Sequence, residues 1–204
     1  MTLFQPTYFP PIIQYVGIAK SSEIIFEVED NFQKQTYRNR CYIYTSFGKH
    51  TLIVPVQHNK KEKQKTKDIK IDYKDGWQQL HLRTLITAYN SSPFFEFYID
   101  DLLPIFEKQT TFLLDLNLKC HAFLMDALQL EIPSTKTIEY HTEPTILDLR
   151  KLAIAKGENI FQLDKYYQIF EENHGFIPNL SMLDLLFMEG PNALNYLESQ
   201  KIQF

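Results

Sequence analysis

The chain has 204 residues, 44% hydrophobic and 23% charged, with a formal net charge of −4, two cysteines and six glycines. Sixteen Phe and twelve Tyr supply the bulk of a packed core, which excludes disordered, collagen-like and coiled-coil classes. Mild acidity speaks against a dedicated nucleic-acid binder, whose footprint is a basic domain or stripe.

Apolar runs such as residues 113–118 are broken by Asp115 and Asn117, well short of the roughly 18 residues of a membrane span. Residues 1–10 carry no basic residue, unlike a secretory signal, so a cytoplasmic protein is expected. Cys41 and Cys120 have no CxxC partner and read as buried free thiols.

In chain order, residues 2–4 read as a strand and Pro6, Pro10 and Pro11 punctuate a loop. Ile12, Ile13, Val16 and Ala19 recur at helical spacing, and Ile24, Ile25 and Phe26 form the β-branched and aromatic run of a buried strand. This is a Rossmann-like βαβ opening. The loop Gln5-Pro6-Thr7-Tyr8-Phe9-Pro10-Pro11 then sits at the carboxyl end of a strand, where open α/β sheets bind ligands. Its prolines make it rigid, either to hold Gln5 and Tyr8 against a ligand or as a packing turn.

Residues 30–40 follow the second strand and mix Asp30, Lys34, Tyr37, Arg38, Asn39 and Arg40 without helix or strand periodicity. Arginine forks suit carboxylate and phosphate, and Tyr37 suits stacking on a planar or sugar ring. The competing reading is an ion-pair network with Glu27, Glu29 and Asp30. Residues 41–45 and 50–56 predict an antiparallel hairpin across Ser46-Phe47-Gly48-Lys49. Lys60, Lys61, Lys63, Lys65 and Lys67, with Glu62 and Asp68 among them, read as a solvated loop, with a mobile phosphate-facing flap as the alternative. A short strand over 69–72 follows.

Asp75-Gly76 opens a helix over 77–89 with Leu80, Leu82, Leu85, Ile86 and Tyr89 as its apolar positions. His81 on this helix suits proton transfer near neutral pH, or a hydrogen-bonded structural role. Ser91-Ser92-Pro93 caps a helix over 93–107, and another covers 111–130. A Pro- and Thr-rich linker over 133–144 carries a strand near 137–140. Residues 145–156 read as a helix ended by Gly157, and 181–188 and 191–200 as two closing helices separated by Gly190. Ser181 suits the N-cap of the first, and Asp184 its positive dipole end. The fold class is α/β, in one domain over 1–204 with a strand-rich half (1–74) and a mainly helical half (75–204); α+β is the alternative because the hairpin is antiparallel.

GxGxxG, P-loop and GxSxG signatures are missing, since the glycines never stand two apart, which disfavours the usual nicotinamide enzymes, P-loop NTPases and serine hydrolases. No histidine pair has metal-ligand spacing, so no metal site is expected and no cofactor is indicated.

Six segments carry a resemblance: Gln5-Pro6-Thr7-Tyr8-Phe9-Pro10, Arg38-Asn39-Arg40, Val54-Pro55-Val56, Trp77 with His81-Leu82-Arg83-Thr84, Tyr89 with Pro93-Phe94-Phe95, and residues 176–187 followed by Gly190-Pro191. In this order they resemble the WbqC-like family over nearly the whole chain. The resemblance implies a bacterial protein of O-antigen and other surface-polysaccharide gene clusters, with no reaction attached. A Gly-containing Tyr-Leu-Ser-Gly-type segment of longer relatives has no counterpart between Asp148 and Phe170, which puts an activity formed there in doubt. The opening also looks like that of nucleotidylyltransferases, but their HxGH signature is replaced by Pro11-Ile12-Ile13-Gln14-Tyr15, so the fold can persist without that chemistry.

The resulting expectation is a group-transfer enzyme acting on an anionic activated substrate, such as a nucleotide sugar. Lys34, Arg38 and Arg40 would bind the anion, Gln5 and Tyr8 orient the substrate, Tyr37 and Asn39 complete the contacts, and His81 or Asp30 move the proton. The alternative is a non-catalytic binding or scaffold protein that retains the family fold.

Overall fold

The computed structural model describes residues 1–57, 63–156 and 161–204. Strand β1 (Thr2–Phe4) leads through the proline loop into α1 (Ile12–Ala19) and β2 (Ile24–Phe26), the expected βαβ unit. With β7 (Ser134–Lys136) and β8 (Leu147–Asp148) these strands form a parallel sheet in the order β7-β2-β1-β8. Side chains alternate across it. Phe4, Ile24 and Phe26 are buried on one face. Gly17 of α1 approaches Phe4 so closely that an added Cβ would lie 3.1 Å from its ring, and Phe26 meets His121 edge-on, which brings α4 (Leu113–Ala127) onto the same face. Leu3 and Ile25 face the other side, where residues 137–146 form an irregular cover around a cavity of about 280 Å³. Helices therefore pack on one face, and the doubly wound layer of a Rossmann fold is not found among the described residues.

Pro11 stands in extended conformation before α1 with no side-chain cap of its own. The distant Asn179 supplies one, its Oδ1 accepting from Ile13 N at 2.9 Å. Strands β3 (Arg40–Thr45) and β4 (Gly48–Ile53) form the antiparallel hairpin, Thr45 opposite Gly48, so the connection is Ser46-Phe47 alone and Gly48 takes φ +91°. β5 (Val56–Gln57) and β6 (Lys70–Ile71) pair beside it. Then come α2 (Trp77–Tyr89), α3 (Phe95–Glu107), α5 (Glu171–His174), α6 (Met182–Glu189) and α7 (Ala193–Ser199).

Several expected elements change. Residues 145–156 are not a helix: Leu147 and Asp148 pair with Thr2 and Leu3, and Leu149 N continues the ladder to Leu3 O before a 3-10 turn over Arg150–Ala153. The β-branched Thr145 and Ile146 lead into this edge strand, and the backbone bonds of β1 outweigh the local helical spacing. Gly157 lies outside the described residues, as do Lys60, Lys61 and Glu62. The strand expected over 137–140 forms earlier, at Ser134–Lys136. Ser92 does not cap α3; its hydroxyl donates back to Tyr89 O at 2.6 Å, while Phe94 N bonds Phe187 O. Pro191 opens a 3-10 turn before α7.

Both cysteines are free and buried. Ser181 caps α6, accepting from Leu183 N. Asp184 lies in the first turn of α6 as expected, but it is fully buried and has partners the local pattern does not give: its carboxylate accepts from Tyr89 Oη at 2.6 Å and Tyr166 Oη at 2.5 Å. Tyr89 Oη in turn accepts from Tyr44 N, so one carboxylate ties the hairpin, α2, α6 and the segment before α5. Burial pushes Asp184 up to about 6, against the hydrogen bonds from Tyr166 and Tyr89.

Candidate functional site

Gly76, at φ +61°, turns the chain into α2. From there Trp77, His81, Thr84 and Ala88 recur at the three- and four-residue spacing of one helix face. That face looks across to β4 and the residues after it, and a cleft of about 580 Å³ opens between them, walled by Thr51, Leu52, Ile53 and Pro55 and closed at one end by the hairpin tip. Trp77, His81 and Ala88 are buried; Leu80, Arg83 and Thr87 stand exposed at the rim.

His81 is the polar residue most enclosed by this cleft. Its Nδ1 lies 2.9 Å from Tyr8 Oη, in the middle of the proline loop, and Trp77 stacks edge-on against its ring at 5.1 Å. Burial lowers its pKa to about 4; the backbone of Ile53 provides a hydrogen bond in the opposite sense, and His50 adds to the lowering. Burial likewise holds Tyr8 well above the ordinary tyrosine range, with Cys41 and Cys120 nearby adding to it. Both groups are thus neutral at physiological pH; with the single ring N–H given to the Ile53 backbone, Nδ1 is left to accept from the Tyr8 hydroxyl. The indole Nε1 of Trp77 is buried without a partner, and Arg83 has no carboxylate partner among the described residues.

Behind the loop lies a second polar group at the carboxyl ends of β1 and β2. Asp30 accepts from Gln5 Nε2 (3.0 Å), Arg38 Nη2 (2.5 Å) and Thr66 Oγ1 (2.6 Å), all nearly inaccessible to solvent. Asn117 donates to the Arg38 and Pro6 carbonyls. Burial lowers the Arg38 pKa, and Asp30 opposes this. Glu27 is equally buried and takes Thr137 Oγ1 and Arg150, while Glu29 binds Lys65 and Lys67 at 2.5 Å each.

The structure therefore divides the residues singled out from sequence. His81 lines the cleft and Tyr8 bonds it from behind, itself fully buried. Gln5, Asp30 and Arg38 meet in the buried cluster, with Arg38 paired to Asp30. Tyr37 packs edge-on against Tyr42, Asn39 donates to Val54 O, Arg40 begins β3 half-buried, and Lys34 is exposed; none of these four lines the cleft. Trp77, Arg83, Thr84, His50 and Asp75 do line it and were missed as site residues. The stripe Trp77, His81, Thr84, Ala88 was the available signal. It was hidden by reading Leu80 and Ile86 as core, although both are exposed.

Residues 5–156 match the profile of the WbqC-like protein family. The chain belongs to this family. Its WbqC-like segment contains the whole cleft and the Gln5–Asp30–Arg38 cluster, and it ends before α6. The chain is also 29% identical to the uncharacterized protein Rv1507c of Mycobacterium tuberculosis (strain ATCC 25618 / H37Rv), over 97% of this chain and 96% of that protein. No solved structure matches.

Proposed function

We propose that this WbqC-like protein is a group-transfer enzyme acting on an anionic activated substrate in surface-polysaccharide or related sugar metabolism, with the substrate held between β4 and α2. The observation that carries this reading is convergence. Pro55 and the Trp77, His81, Arg83 and Thr84 set come from two of the segments that bear the family resemblance and meet at one cavity, and Tyr8, from a third, holds His81 from behind. Its volume lies within the ~300–1,000 Å³ of small-molecule sites. Arg83 offers an uncommitted cation to the anionic part. His81, neutral and oriented by Tyr8, is the proton-handling group once a ligand takes the place of its Ile53 contact. The Gln5–Asp30–Arg38 cluster acts as a positioning device, fixing the proline loop that presents Tyr8. The metabolic setting rests on the family resemblance and not on geometry.

A thermal-shift screen against nucleotide sugars, nucleotides, sugar phosphates and acyl carriers tests this. A ligand at a hundred times its Kd stabilises the folded state by about 2.7 kcal/mol. The expected hit is lost in Arg83→Ala and kept in Lys34→Ala. The opposite pattern would place the anion on the 30–40 loop. No hit in any class would favour the second reading, a non-catalytic binding or scaffold protein, for which the exposed Phe47 and Leu80 (94% and 62% accessible) beside the cleft are the motivating observation.

A further inference from the structure

Among the described residues the hairpin β3–β4 is a two-stranded sheet with no further strand beside it, and such a ribbon is marginally stable by itself. β4 walls the cleft, and Thr45, Ser46 and Phe47 close one end of it, so whatever holds β3 from outside decides where that end stands. The ties run along β3 toward the tip. Ser181 N bonds Tyr42 O at 2.7 Å, and Tyr44 N donates to Tyr89 Oη at 3.0 Å. The two nearest the tip come from one short segment: the Tyr44 hydroxyl donates to Gly175 O at 2.6 Å, and His174 Nε2 donates to Ser46 O at 2.8 Å. That segment is braced. Both polar atoms of the Gln168 side chain bond Ile177, Nε2 to its carbonyl at 2.9 Å and Oε1 from its N–H at 2.8 Å, which closes residues 168–177 into a loop. Tyr166, just before it, is fixed on Asp184. On the loop, α5 ends at Gly175 with φ +74° and ψ 176°, a backbone conformation that glycine alone adopts readily, and this turn presents His174 and the Gly175 carbonyl to the hairpin. His174 is exposed, so its bond to the tip is not a by-product of core packing.

We propose that residues 166–177 form a latch that holds the hairpin tip over the end of the cleft, with His174 and Tyr44 as positioning residues that set how far a ligand reaches along it. This rests on the reading of the cleft as the substrate site and adds what controls its length. The walls lie within residues 5–156, which match the family profile, and the latch lies after them, so the end of the cleft is set by a part of the chain outside the matched segment. Without His174 the tip keeps the hairpin's own bonds, the pairing of Thr45 with Gly48 and that of Phe47 N with Thr45 Oγ1, and opens more often.

Amide hydrogen exchange of the intact protein without ligand tests the latch, and calorimetry with UDP-glucose tests its effect on the cleft. In His174→Ala, exchange over residues 45–48 is expected to quicken about three- to tenfold, the contribution of one neutral hydrogen bond, with residues 77–89 unchanged. The Kd for UDP-glucose rises by a similar factor. His174→Gln restores both, since its side-chain amide can donate to Ser46 O. Gly175→Ala reproduces His174→Ala, because an added Cβ there meets nothing within 4 Å but the backbone is strained. Unchanged exchange over residues 45–48 in both His174→Ala and Gly175→Ala would overturn the latch. Faster exchange with an unchanged Kd would keep the tie and overturn its control of the cleft. If UDP-glucose does not bind the wild type, the nucleotide-sugar form of the substrate reading fails, while the exchange pattern still decides the latch.

Discussion

Replacing His81 by Gln removes a titrating group while keeping an acceptor that can take the Tyr8 hydroxyl. In the folded protein the imidazole is 3% accessible and its pKa is lowered to about 4, against the ordinary 6.5 of the unfolded chain. The unfolded state therefore holds more protons between these two values, and the folded state loses stability as pH falls through that window. At about 1.4 kcal/mol per pKa unit the penalty reaches about 3 kcal/mol near pH 4. Above about pH 6.5 it vanishes. Urea unfolding at about pH 7.5 and about pH 4.5 measures it as the difference between the two proteins. His121, also lowered to about 4 by burial, and Asp184 titrate in both proteins and cancel. The wild type is expected to lose about 2–3 kcal/mol more than His81→Gln between the two conditions. Equal losses would mean that His81 titrates as an open histidine, and the neutral imidazole held by Tyr8 would have to be given up.

Asp184→Asn tests the opposite sign. Its carboxyl is raised to about 6 from 3.8, so the folded state holds the proton more tightly and stability is lost as pH rises from about 4 through 6; the asparagine variant should gain about 3 kcal/mol on the wild type over that range in the same assay, and no relative gain would refute the buried, raised carboxyl. Arg38→Met leaves Asp30 charged and buried with only Gln5 and Thr66, a loss of about 3–5 kcal/mol that Asp30→Asn in the same chain should partly recover; a near-neutral single variant would contradict the ion pair. Gly190 has φ +53°, and a Cβ there would lie 2.5 Å from the Phe94 ring, so Gly190→Ala should lower the thermal midpoint by several degrees, about 2 kcal/mol or more. An unchanged midpoint would contradict that close approach.

Where backbone pairing and side-chain periodicity agree, the fold is legible in the sequence. Ile12, Ile13 and Val16 face the core at helical spacing, and Ile24–Phe26 has the residues of a buried strand, so the βαβ opening and the hairpin follow from local rules. Leu147–Asp148 is different: two residues carry no period, and their state is decided by the open edge of β1, which lies more than a hundred positions earlier in the chain. Asp184 misleads for a similar reason. Its offset from Ser181 suits a helix N-terminus, but its partners, Tyr89 and Tyr166, come from segments whose approach no local pattern encodes. At the candidate site, the proline loop carries Tyr8, which bonds His81 from behind the cleft, and the pairing of Arg38 with Asp30 matches the ion-pair reading of the 30–40 segment. The cleft itself was not legible, because its walls come from β4 and α2, and Leu80 and Ile86 imitate a core-facing pattern while standing in water.

The central claim is that ligand lies between β4 and α2. Amide hydrogen exchange, measured with and without the strongest ligand from the thermal-shift screen, tests it most directly, because a bound ligand slows exchange in the elements it contacts. The account predicts slowed exchange in Gly48–Ile53 and Trp77–Tyr89, with residues 30–40 unchanged. Slowed exchange confined to residues 30–40, with α2 unaffected, would contradict it and move the site to the loop that carries Lys34 and Arg40.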